Sequence, residues 1–208
     1  MDNLRVLQHP LAQNFLSEVR DQHAKRATVR HHIRALAVLL FAEATRDLPT
    51  ETGRVRTPLA ETDAAFVRTS VGLVPILRAG LGMVDGILEM LPDAKVYHLG
   101  IFRDEKTLEP VEYYSKLGQH RPVDIAFVLD PMLATGGSAS AAVSRLKSWG
   151  VKRIKYLGIF AAPEGIATLS RAHPDVEIHL CAVDSHLNDK GYIVPGFGDA
   201  GDRQFSGD

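Results

Sequence analysis

A loop between a predicted buried strand and a predicted helix holds the residues whose types best suit chemistry. Residues 130–139 read Asp-Pro-Met-Leu-Ala-Thr-Gly-Gly-Ser-Ala. The two adjacent glycines let consecutive backbone N–H groups point at one anion, and the N-terminus of the following helix adds positive potential. The hydroxyls of Thr135 and Ser138 can donate further hydrogen bonds. The loop therefore predicts a monophosphate site in which Asp130 accepts hydrogen bonds from sugar hydroxyls.

A tight strand-to-helix turn with an N-capping serine is the structural alternative for the same residues. A Walker A loop is excluded, because no Gly-Lys-Ser or Gly-Lys-Thr sequence follows the two glycines. The carboxylate of Asp130 favours a phosphorylated sugar as the ligand, since a site for phosphate alone would not require it.

Two further loops place basic side chains directly after predicted strands. Arg78 follows a strand that passes into a glycine-containing turn, and Arg103 and Lys106 follow the next strand. Arginine suits multidentate recognition of phosphate, although a basic residue in such a loop is most often only solvated. Three loops of this kind after three strands would surround one substrate that carries phosphate at both ends.

The C-terminal segment 192–203 is rich in glycine and formally contains the pattern G-x-G-x-x-G at 196–201. A dinucleotide site is not expected there, because the seven residues after Gly201 leave no room for a crossover helix and a second strand. We expect instead a loop whose bare backbone approaches a flat polar ring, since N–H and C=O groups can match a pattern of donors and acceptors.

These loops need a parallel sheet to bring them together. Short apolar runs without strict alternation are separated by stretches of helical spacing, which is typical of strands covered by helices on both faces. Ligands bind at the carboxyl ends of the strands in such sheets. We predict an α/β fold with a parallel central sheet flanked by helices. The predicted strands are 71–75, 96–102, 125–129, 154–160 and 176–183, and the predicted helices are 81–91, 138–149 and 164–172.

The whole chain, residues 1–208, is expected to form a single domain with three parts. Residues 1–50 form an N-terminal helical segment, 70–183 form the α/β core, and 184–208 form a hood of loops over the core. Within the core, residues 104–118 lack a helical period and are predicted as a β-arm. Such a strand commonly pairs with another subunit, and a plain surface hairpin is the alternative.

Composition excludes several classes of protein. The 208 residues include 24 Lys and Arg against 25 Asp and Glu, so the net charge of −1 gives no bulk electrostatic reason for binding nucleic acid. The single cysteine, Cys181, excludes an internal disulfide framework and is expected to be a buried core thiol. The nine histidines show no His-Glu-x-x-His spacing, so a zinc site is not expected.

A membrane location is not expected either. The longest apolar run, Ala35–Ala42, is much shorter than the about 20 residues that a membrane-spanning helix needs. The N-terminus shows no hydrophobic region of a signal peptide. We therefore expect a cytoplasmic protein in a reducing compartment.

A regulator that binds RNA is a possibility from a different class, because the N-terminal helical segment contains a basic stretch. The acidic neighbours Glu18 and Asp21 dilute its charge, and a solvated or subunit-facing helix is the structural alternative. The basic stretch consists of Arg20, His23, Lys25, Arg26, Arg30, His31, His32 and Arg34.

Several spaced motifs together resemble the uracil phosphoribosyltransferases, and the resemblance spans nearly the whole chain. Residues 128–139 resemble the phosphoribosyl-diphosphate (PRPP) motif, and 130–138 resemble the version found in this family. Residues 192–203 are similar to the family's uracil-binding tail. The segments 43–49, 75–83 and 103–107 also fit the family.

The resemblance implies the type I phosphoribosyltransferase fold and the conversion of uracil and PRPP to UMP and diphosphate in pyrimidine salvage. It implies Mg²⁺ as the cofactor, held mainly through PRPP and with no direct protein ligand assigned. A GTP effector and a homodimer or homotetramer are also implied, without a nucleic-acid or membrane partner. A purine phosphoribosyltransferase is the alternative, although the tail leaves little room for a bicyclic base.

The resemblance also implies roles for individual residues. The implied catalytic residues are Arg103, Asp130 and Asp199. The implied uracil contacts are Ile193, Gly198, Asp199 and Ala200. The implied PRPP contacts are Arg78, Ala79, Gly80, Arg103, Asp130, Pro131, Met132, Leu133, Ala134, Thr135, Gly136, Gly137, Ser138 and Asp199.

Two roles stay open for Asp199, which either orders PRPP and Mg²⁺ or accepts the N1 proton of uracil. Ordering is favoured, because weakly acidic uracil needs little help from a base once its oxygens are hydrogen-bonded. The chain also departs from the family, which commonly has Phe at Val29, Pro at Gly118 and aliphatic residues at Phe197 and Gln204.

Overall fold

The computed structural model describes residues 3–103, 110–115, 117 and 121–205. The helices are α1 Pro10–Arg20, α2 Arg26–Ala44, α3 Val84–Met90, α4 Gly137–Trp149, α5 Pro163–Ala172 and α6 Ala200–Gln204, with a 3₁₀ turn at Ala79–Met83. The strands are β1 Leu4–Val6, β2 Glu51–Arg56, β3 Glu61–Phe66, β4 Val71–Leu77, β5 Lys95–Val96, β6 Leu99–Arg103, β7 Pro110–Ser115, β8 Ile125–Leu129, β9 Met132–Leu133, β10 Arg153–Ala161, β11 Glu177–Val183, β12 His186–Leu187 and β13 Ile193–Val194.

A mainly parallel sheet forms the centre of the molecule, as the apolar runs predicted. Within the described residues its strand order is β1-β11-β10-β8-β4-β6-β7, and β5 and β9 pair with β4 and β10. Strand β8 pairs in parallel with β4 on one side and with β10 on the other, so Val128 lies opposite Val74 and Tyr156. Every residue of β8 is buried, which explains why its sequence shows no alternation between apolar and polar residues.

Helices cover both faces of this sheet, which confirms the predicted fold class. Alternate residues of β8 face opposite sides. Phe127 packs in the core with helices α1, α2 and α3, whereas Val128 packs in the core with α4 and α5. The loops at the carboxyl ends of β4 and β8 therefore emerge at the same edge of a rigid sheet.

The N-terminal segment is largely helical, as predicted, but it begins with a strand that was not predicted. Strand β1 pairs in parallel with β11 at the edge of the sheet, where Leu4 lies opposite Ile178. Three residues are too few to show a recognisable period. The structure also differs from the prediction at 96–102, where two short strands, β5 and β6, replace the single predicted strand.

An isolated antiparallel hairpin lies at β2 and β3, a region to which no element had been assigned. Its two strands pair from Glu51 with Phe66 to Arg56 with Glu61, and Leu59 in the turn is 97% exposed. By contrast, β7 within the predicted arm at 104–118 pairs antiparallel with β6 and forms an edge of the main sheet. The other residues predicted for that arm lie outside the described residues, apart from Leu117, which is buried.

The segment after β11 lies over the carboxyl edge of the sheet. It contains the short antiparallel pair of β12 and β13, a cis peptide bond before Pro195 and helix α6. The described residues of this segment, 184–205, form the hood.

The thiol of Cys181 is buried in the core, as predicted. Burial raises the pKa of this thiol to about 12. It is therefore protonated and unreactive at neutral pH.

Candidate active site

A cavity of about 200 Å³ lies where the hood meets the carboxyl ends of β4 and β8. It brings together residues from three of the four segments that the sequence singled out. Seven of the predicted site residues line it, together with Gly191, Tyr192 and Gly201. The seven are Ala79, Met132, Ala134, Ile193, Gly198, Asp199 and Ala200.

The loop after β4 packs closely against the end of β8. A Cβ atom added to Gly80 would lie 2.3 Å from the carbonyl oxygen of Leu129, so only glycine allows this approach. Arg78 and Ala79 are thereby held beside the loop that follows β8. The peptide bond between Leu77 and Arg78 is cis.

The loop at 130–138 has the turn that the glycines predicted. Gly136 has a φ of +83°, a left-handed conformation that favours glycine. Helix α4 begins at Gly137, one residue earlier than predicted, and Gly136 occupies its N-cap without a side-chain hydrogen bond. Ser138 is therefore inside the helix rather than its cap, which removes the alternative of an N-capping serine. The start of α4 is left with backbone N–H groups for an anion.

Asp130 is partly buried below this loop, immediately after β8. Its Oδ1 accepts a hydrogen bond of 3.3 Å from the backbone N–H of Met132. Burial raises the pKa of the Asp130 carboxyl to about 7, against the lowering effect of that hydrogen bond. The carboxyl group can therefore change its protonation state near neutral pH.

Tyr156 supports the backbone of Asp130 from the neighbouring strand. Its buried hydroxyl donates a hydrogen bond of 3.1 Å to the carbonyl oxygen of Asp130. Burial, and secondly the charge of Asp130, raises the pKa of Tyr156 well above its ordinary value. The hydroxyl therefore stays protonated and keeps the loop fixed at its start.

The hood supplies the opposite wall of the cavity. Gly198 has a φ of +84° and is exposed, so the chain turns there and leaves its backbone accessible. Ile193 and Ala200 are buried beneath it. The Oδ1 atom of Asp199 accepts a hydrogen bond of 2.9 Å from the N–H of Asp202 and so caps α6.

Arg78 links the β4 loop to the hood. Its Nη2 atom lies 3.3 Å from Oδ1 of Asp202, and both side chains are more than half exposed. An ion pair with this exposure stabilises the fold only weakly. Arg78 is therefore positioned at the rim of the cavity by an interaction that an incoming anion can replace.

The structure does not place every predicted residue in the cavity wall. Pro131 and Leu133 are buried and support the loop. Thr135 precedes the N-cap of α4, and Gly137 is the first residue of that helix. The backbone of Arg103 ends strand β6, which pairs with β4. The side chain of Arg103 lies outside the described residues.

Residues that anchor the hood were not recognised in the sequence. Arg20 donates hydrogen bonds of 2.9 Å and 2.6 Å to the two carboxylate oxygens of Asp184 and another to the carbonyl oxygen of Gly196. Asp184 also accepts from the N–H of Gly196. The guanidinium group of Arg20 lies over the ring of Phe160. Arg20 lies 164 and 176 positions from Asp184 and Gly196 in the sequence, so no local pattern reveals these contacts.

Several side chains of the basic stretch also have partners within the protein. Arg30 donates to the carbonyl oxygen of Gln204. Arg34 pairs with Glu89, and the ring of His32 lies 2.7 Å from a carboxylate oxygen of Glu18. These side chains therefore hold the helices and the hood together.

Across the described ranges, no group of three or more His, Cys, Asp or Glu side chains could hold a metal ion. Within the same residues, no helix is both long enough and apolar enough to cross a membrane.

Comparison with known proteins identifies close relatives. A family model described as uracil phosphoribosyltransferase matches residues 6–207. Among curated proteins of that name, one from Roseiflexus castenholzii is 54% identical over 205 residues. Another from Bacillus thuringiensis is 50% identical over 210 residues. Each comparison covers 99% of this chain and 99% of the relative.

Solved structures share the fold. A protein from Aquifex aeolicus is 38% identical, with a TM-score of 0.92 over 98% of both chains. An adenine phosphoribosyltransferase from Trypanosoma brucei, solved with AMP, pyrophosphate and ribose-5-phosphate, has a TM-score of 0.58 and 16% identity. That match covers 96% of this chain and 89% of the other. At this low identity the likeness shows the fold alone.

Proposed function

Because this chain belongs to the uracil phosphoribosyltransferase family, we propose that the cavity between the hood and the β4 and β8 loops is where it joins uracil to PRPP. The enzyme is a pentosyltransferase that makes UMP and diphosphate in pyrimidine salvage. The bond between the anomeric carbon and diphosphate breaks, the carbon bonds to N1 of uracil, and N1 loses its proton. The assignment of individual residues to these events is the proposal.

One observation carries the proposal about the site. The Ala79 loop, the loop at Met132 and Ala134, and the hood residues Gly198 and Ala200 line a single cavity. Parallel topology brings these segments to one edge of the sheet although they are far apart in the sequence. A substrate with a phosphate at one end, a sugar in the middle and a base at the other end suits such a site.

The loop at 134–138 is proposed to hold the 5′-phosphate of PRPP. The left-handed turn at Gly136 and the uncapped start of α4 leave backbone N–H groups for the phosphate oxygens. The hydroxyls of Thr135 and Ser138 add donors. Anchoring the phosphate orients the sugar toward the base, so that proximity and alignment lower the barrier.

Asp130 is proposed to bind the ribose hydroxyls and to stabilise positive charge on the sugar. Positive charge develops on the ribose ring as diphosphate leaves, and an ionised carboxylate beside it is favourable. The partly buried position below the phosphate loop strengthens that interaction, because the effective dielectric constant is lower there. The catalytically competent form of Asp130 is therefore the ionised one.

Arg78 and Arg103 are proposed to bind the diphosphate. Arg78 lies at the rim of the cavity, where its ion pair with Asp202 can be exchanged for phosphate oxygens. Arg103 is the last residue of β6, the strand beside β4. Cationic side chains at these two positions would stabilise the leaving anion as it separates from the sugar.

Mg²⁺ is proposed as the cofactor, held mainly by PRPP. The carboxylate of Asp199 in the cavity wall, and that of Asp202 beside Arg78, are oxygen donors of the kind that suits Mg²⁺. When bound, Mg²⁺ would neutralise charge on the diphosphate oxygens. The capping hydrogen bond to Asp199 fixes its carboxylate at the cavity wall, which supports its ordering role.

The backbone of Ile193, Gly198 and Ala200 is proposed to recognise uracil. Cytosine has an amino donor where uracil has a carbonyl acceptor. A buried backbone group that meets the wrong partner loses its hydrogen bond, and discrimination of 10⁴-fold or more has that origin in other enzymes. The positive φ at Gly198 supports this role, because a side chain would be strained there.

A panel of bases tests the proposed function. PRPP and Mg²⁺ are incubated with uracil, cytosine, hypoxanthine or adenine, and diphosphate release is measured. We expect turnover with uracil and at least 10³-fold less with each other base. Efficient use of cytosine would contradict recognition by the hood backbone, and preference for adenine or hypoxanthine would favour a purine enzyme.

The protein is also proposed to work as a homodimer or homotetramer, with the hairpin of β2 and β3 at the subunit contact instead of the arm predicted at 104–118. A two-stranded hairpin is only marginally stable in isolation, and this one exposes Leu59 almost completely.

GTP is proposed as an effector on the family resemblance alone, and addition of GTP to the uracil assay tests it.

A further inference from the structure

Gln204 is a fully buried polar residue at the end of helix α6, behind the wall of the cavity. Its Nε2 atom donates a hydrogen bond of 3.2 Å to the carbonyl oxygen of Ala79 and one of 2.8 Å to that of Ala200. Ala79 lies on the β4 loop and Ala200 lies in the hood, and both line the cavity. One side-chain amide therefore joins the two walls from behind.

The carboxamide oxygen of Gln204 is buried and has no hydrogen-bond partner in the described part of the chain. A buried acceptor without a partner destabilises a fold. The amide is therefore better explained by its two donated hydrogen bonds than by packing.

The β4 loop leaves room for this side chain at Gly82. A Cβ atom added to Gly82 would lie 1.8 Å from Oε1 of Gln204, so the glycine is required for the contact. The backbone of Gln204 is held from the other side, because Arg30 of helix α2 donates a hydrogen bond of 2.8 Å to its carbonyl oxygen. Gln204 is thus fixed at both its backbone and its side chain.

We propose that Gln204 is a positioning residue, which holds the base-binding hood in register with the loop that carries Arg78. It touches no substrate itself. The inference rests on the family's reaction and on the proposed assignment of the cavity. It implies that the wall for uracil and the wall for diphosphate move together, so that binding of one substrate affects affinity for the other.

The variant Gln204→Met tests this, because it keeps the length of the side chain and removes the amide. We expect KM for uracil and KM for PRPP each to rise about 5-fold to 20-fold, with kcat changed less than 3-fold. The melting temperature should change little, because removal of the unpaired buried oxygen offsets the loss of the two donated hydrogen bonds. Gln13→Leu, at an exposed glutamine in α1, is the control for expression and handling.

If Gln204 only stabilised the fold, the substitution would lower the melting temperature and leave both KM values unchanged. A lower melting temperature with both KM values unchanged overturns the proposal, and so do wild-type values throughout. Wild-type UMP formation is measured first in the same assay. Its absence would count against the reaction itself and not against Gln204.

A double-mutant cycle with Gly82 keeps the proposal testable if Gln204→Met does not fold. Gly82→Ala should displace the Gln204 side chain and raise both KM values by a similar factor. In a Gln204→Ala background, which leaves space for the new methyl group, Gly82→Ala should have little further effect. Additive effects, or unchanged KM values in Gly82→Ala alone, would show that the contact does not position the walls.

Discussion

Asp130 shows how strongly the surroundings of one residue determine its chemistry. Its type and its place after a buried strand were sufficient to predict a sugar-binding carboxylate. The sequence could not reveal its raised pKa, because that depends on burial among residues from other strands. The hydrogen bond from Tyr156 to its backbone likewise requires the pairing of β8 with β10.

Substitution of Asp130 by Asn should abolish most of the activity and leave the fold intact. An amide retains the shape of the carboxylate but cannot stabilise a positive sugar, so we expect kcat to fall by about 10²-fold or more. Steady-state kinetics and circular dichroism measure the two effects. Asp93→Asn, at an exposed aspartate, is the matched control, and an unaltered kcat would remove Asp130 from the mechanism.

The pH dependence of activity should show the titration of Asp130. Burial raises its pKa to about 7, and the ionised form is the proposed active one, so kcat/KM for PRPP should increase with pH through about 7. The stability effect has the opposite direction. As pH rises from about 4 to about 7, the unfolded state releases this proton more readily than the folded state, so Asp130 progressively destabilises the fold.

Thermal unfolding of the Asn variant separates these two effects. At pH 8 the variant should be more stable than the wild type by about 1 kcal/mol or more, and the difference should vanish below pH 4. A difference that does not change with pH would show that the carboxyl group is not buried as described.

Substitution of Arg103 by Ala should chiefly weaken the use of PRPP. Loss of a cation from the diphosphate site removes charge-assisted hydrogen bonds, so we expect KM for PRPP to rise about 10-fold or more. Uracil saturation curves at high PRPP should change much less. An unchanged KM for PRPP would exclude this role.

At the scale of elements, the strands were predictable where burial on both faces imposes an unbroken apolar run. Residues 125–129 were predicted as a strand, and β8 has those bounds. Strand β2 was not predicted, because its residues are mainly exposed and show no apolar pattern. The hood was predictable only as loops around glycines, since its anchors Arg20 and Asp184 depend on tertiary contact.

The contact between α1 and the hood can be tested at Arg20. Arg20→Lys keeps the charge but loses the two-oxygen contact with Asp184, whose side chain is only 5% exposed. We expect a loss of stability of about 1–3 kcal/mol and a higher KM for uracil. Denaturant unfolding and uracil saturation provide the measurements. Arg171→Lys on α5 is the control. If Arg20→Lys has the stability and the KM for uracil of the wild type, the hood does not need this anchor.

At the scale of the whole molecule, the near-zero net charge hides an organised distribution. Cations from the N-terminal helices contact acidic or carbonyl groups of other elements, as Arg20 does with Asp184 and Arg30 does with Gln204. The hairpin of β2 and β3 extends from this body with little apolar burial of its own. Association between subunits is therefore harder to predict from local sequence patterns than the fold of the sheet.

Removal of the hairpin should change the assembly and not the fold of the sheet. Replacement of residues 53–64 by a short Gly-Ser turn should shift the protein toward monomers in sedimentation velocity experiments. Far-ultraviolet circular dichroism should retain the signal of the α/β core. The single substitution Leu59→Ser is a milder version of the same test. If the number of subunits in the assembly stays the same in the deletion and in Leu59→Ser, the interface lies elsewhere.

The buried thiol in β11 can also be used to measure how often the core of the protein opens to solvent. Cys181 is 1% exposed, and alkylating reagents attack only the thiolate. Labelling therefore requires an opening of the core that exposes the thiol to solvent. Because the sequence contains one cysteine, the rate of mass increase with a thiol reagent measures how often that happens. Comparison of this rate with and without substrates would reveal whether substrates bound under the hood also restrain the core beneath it.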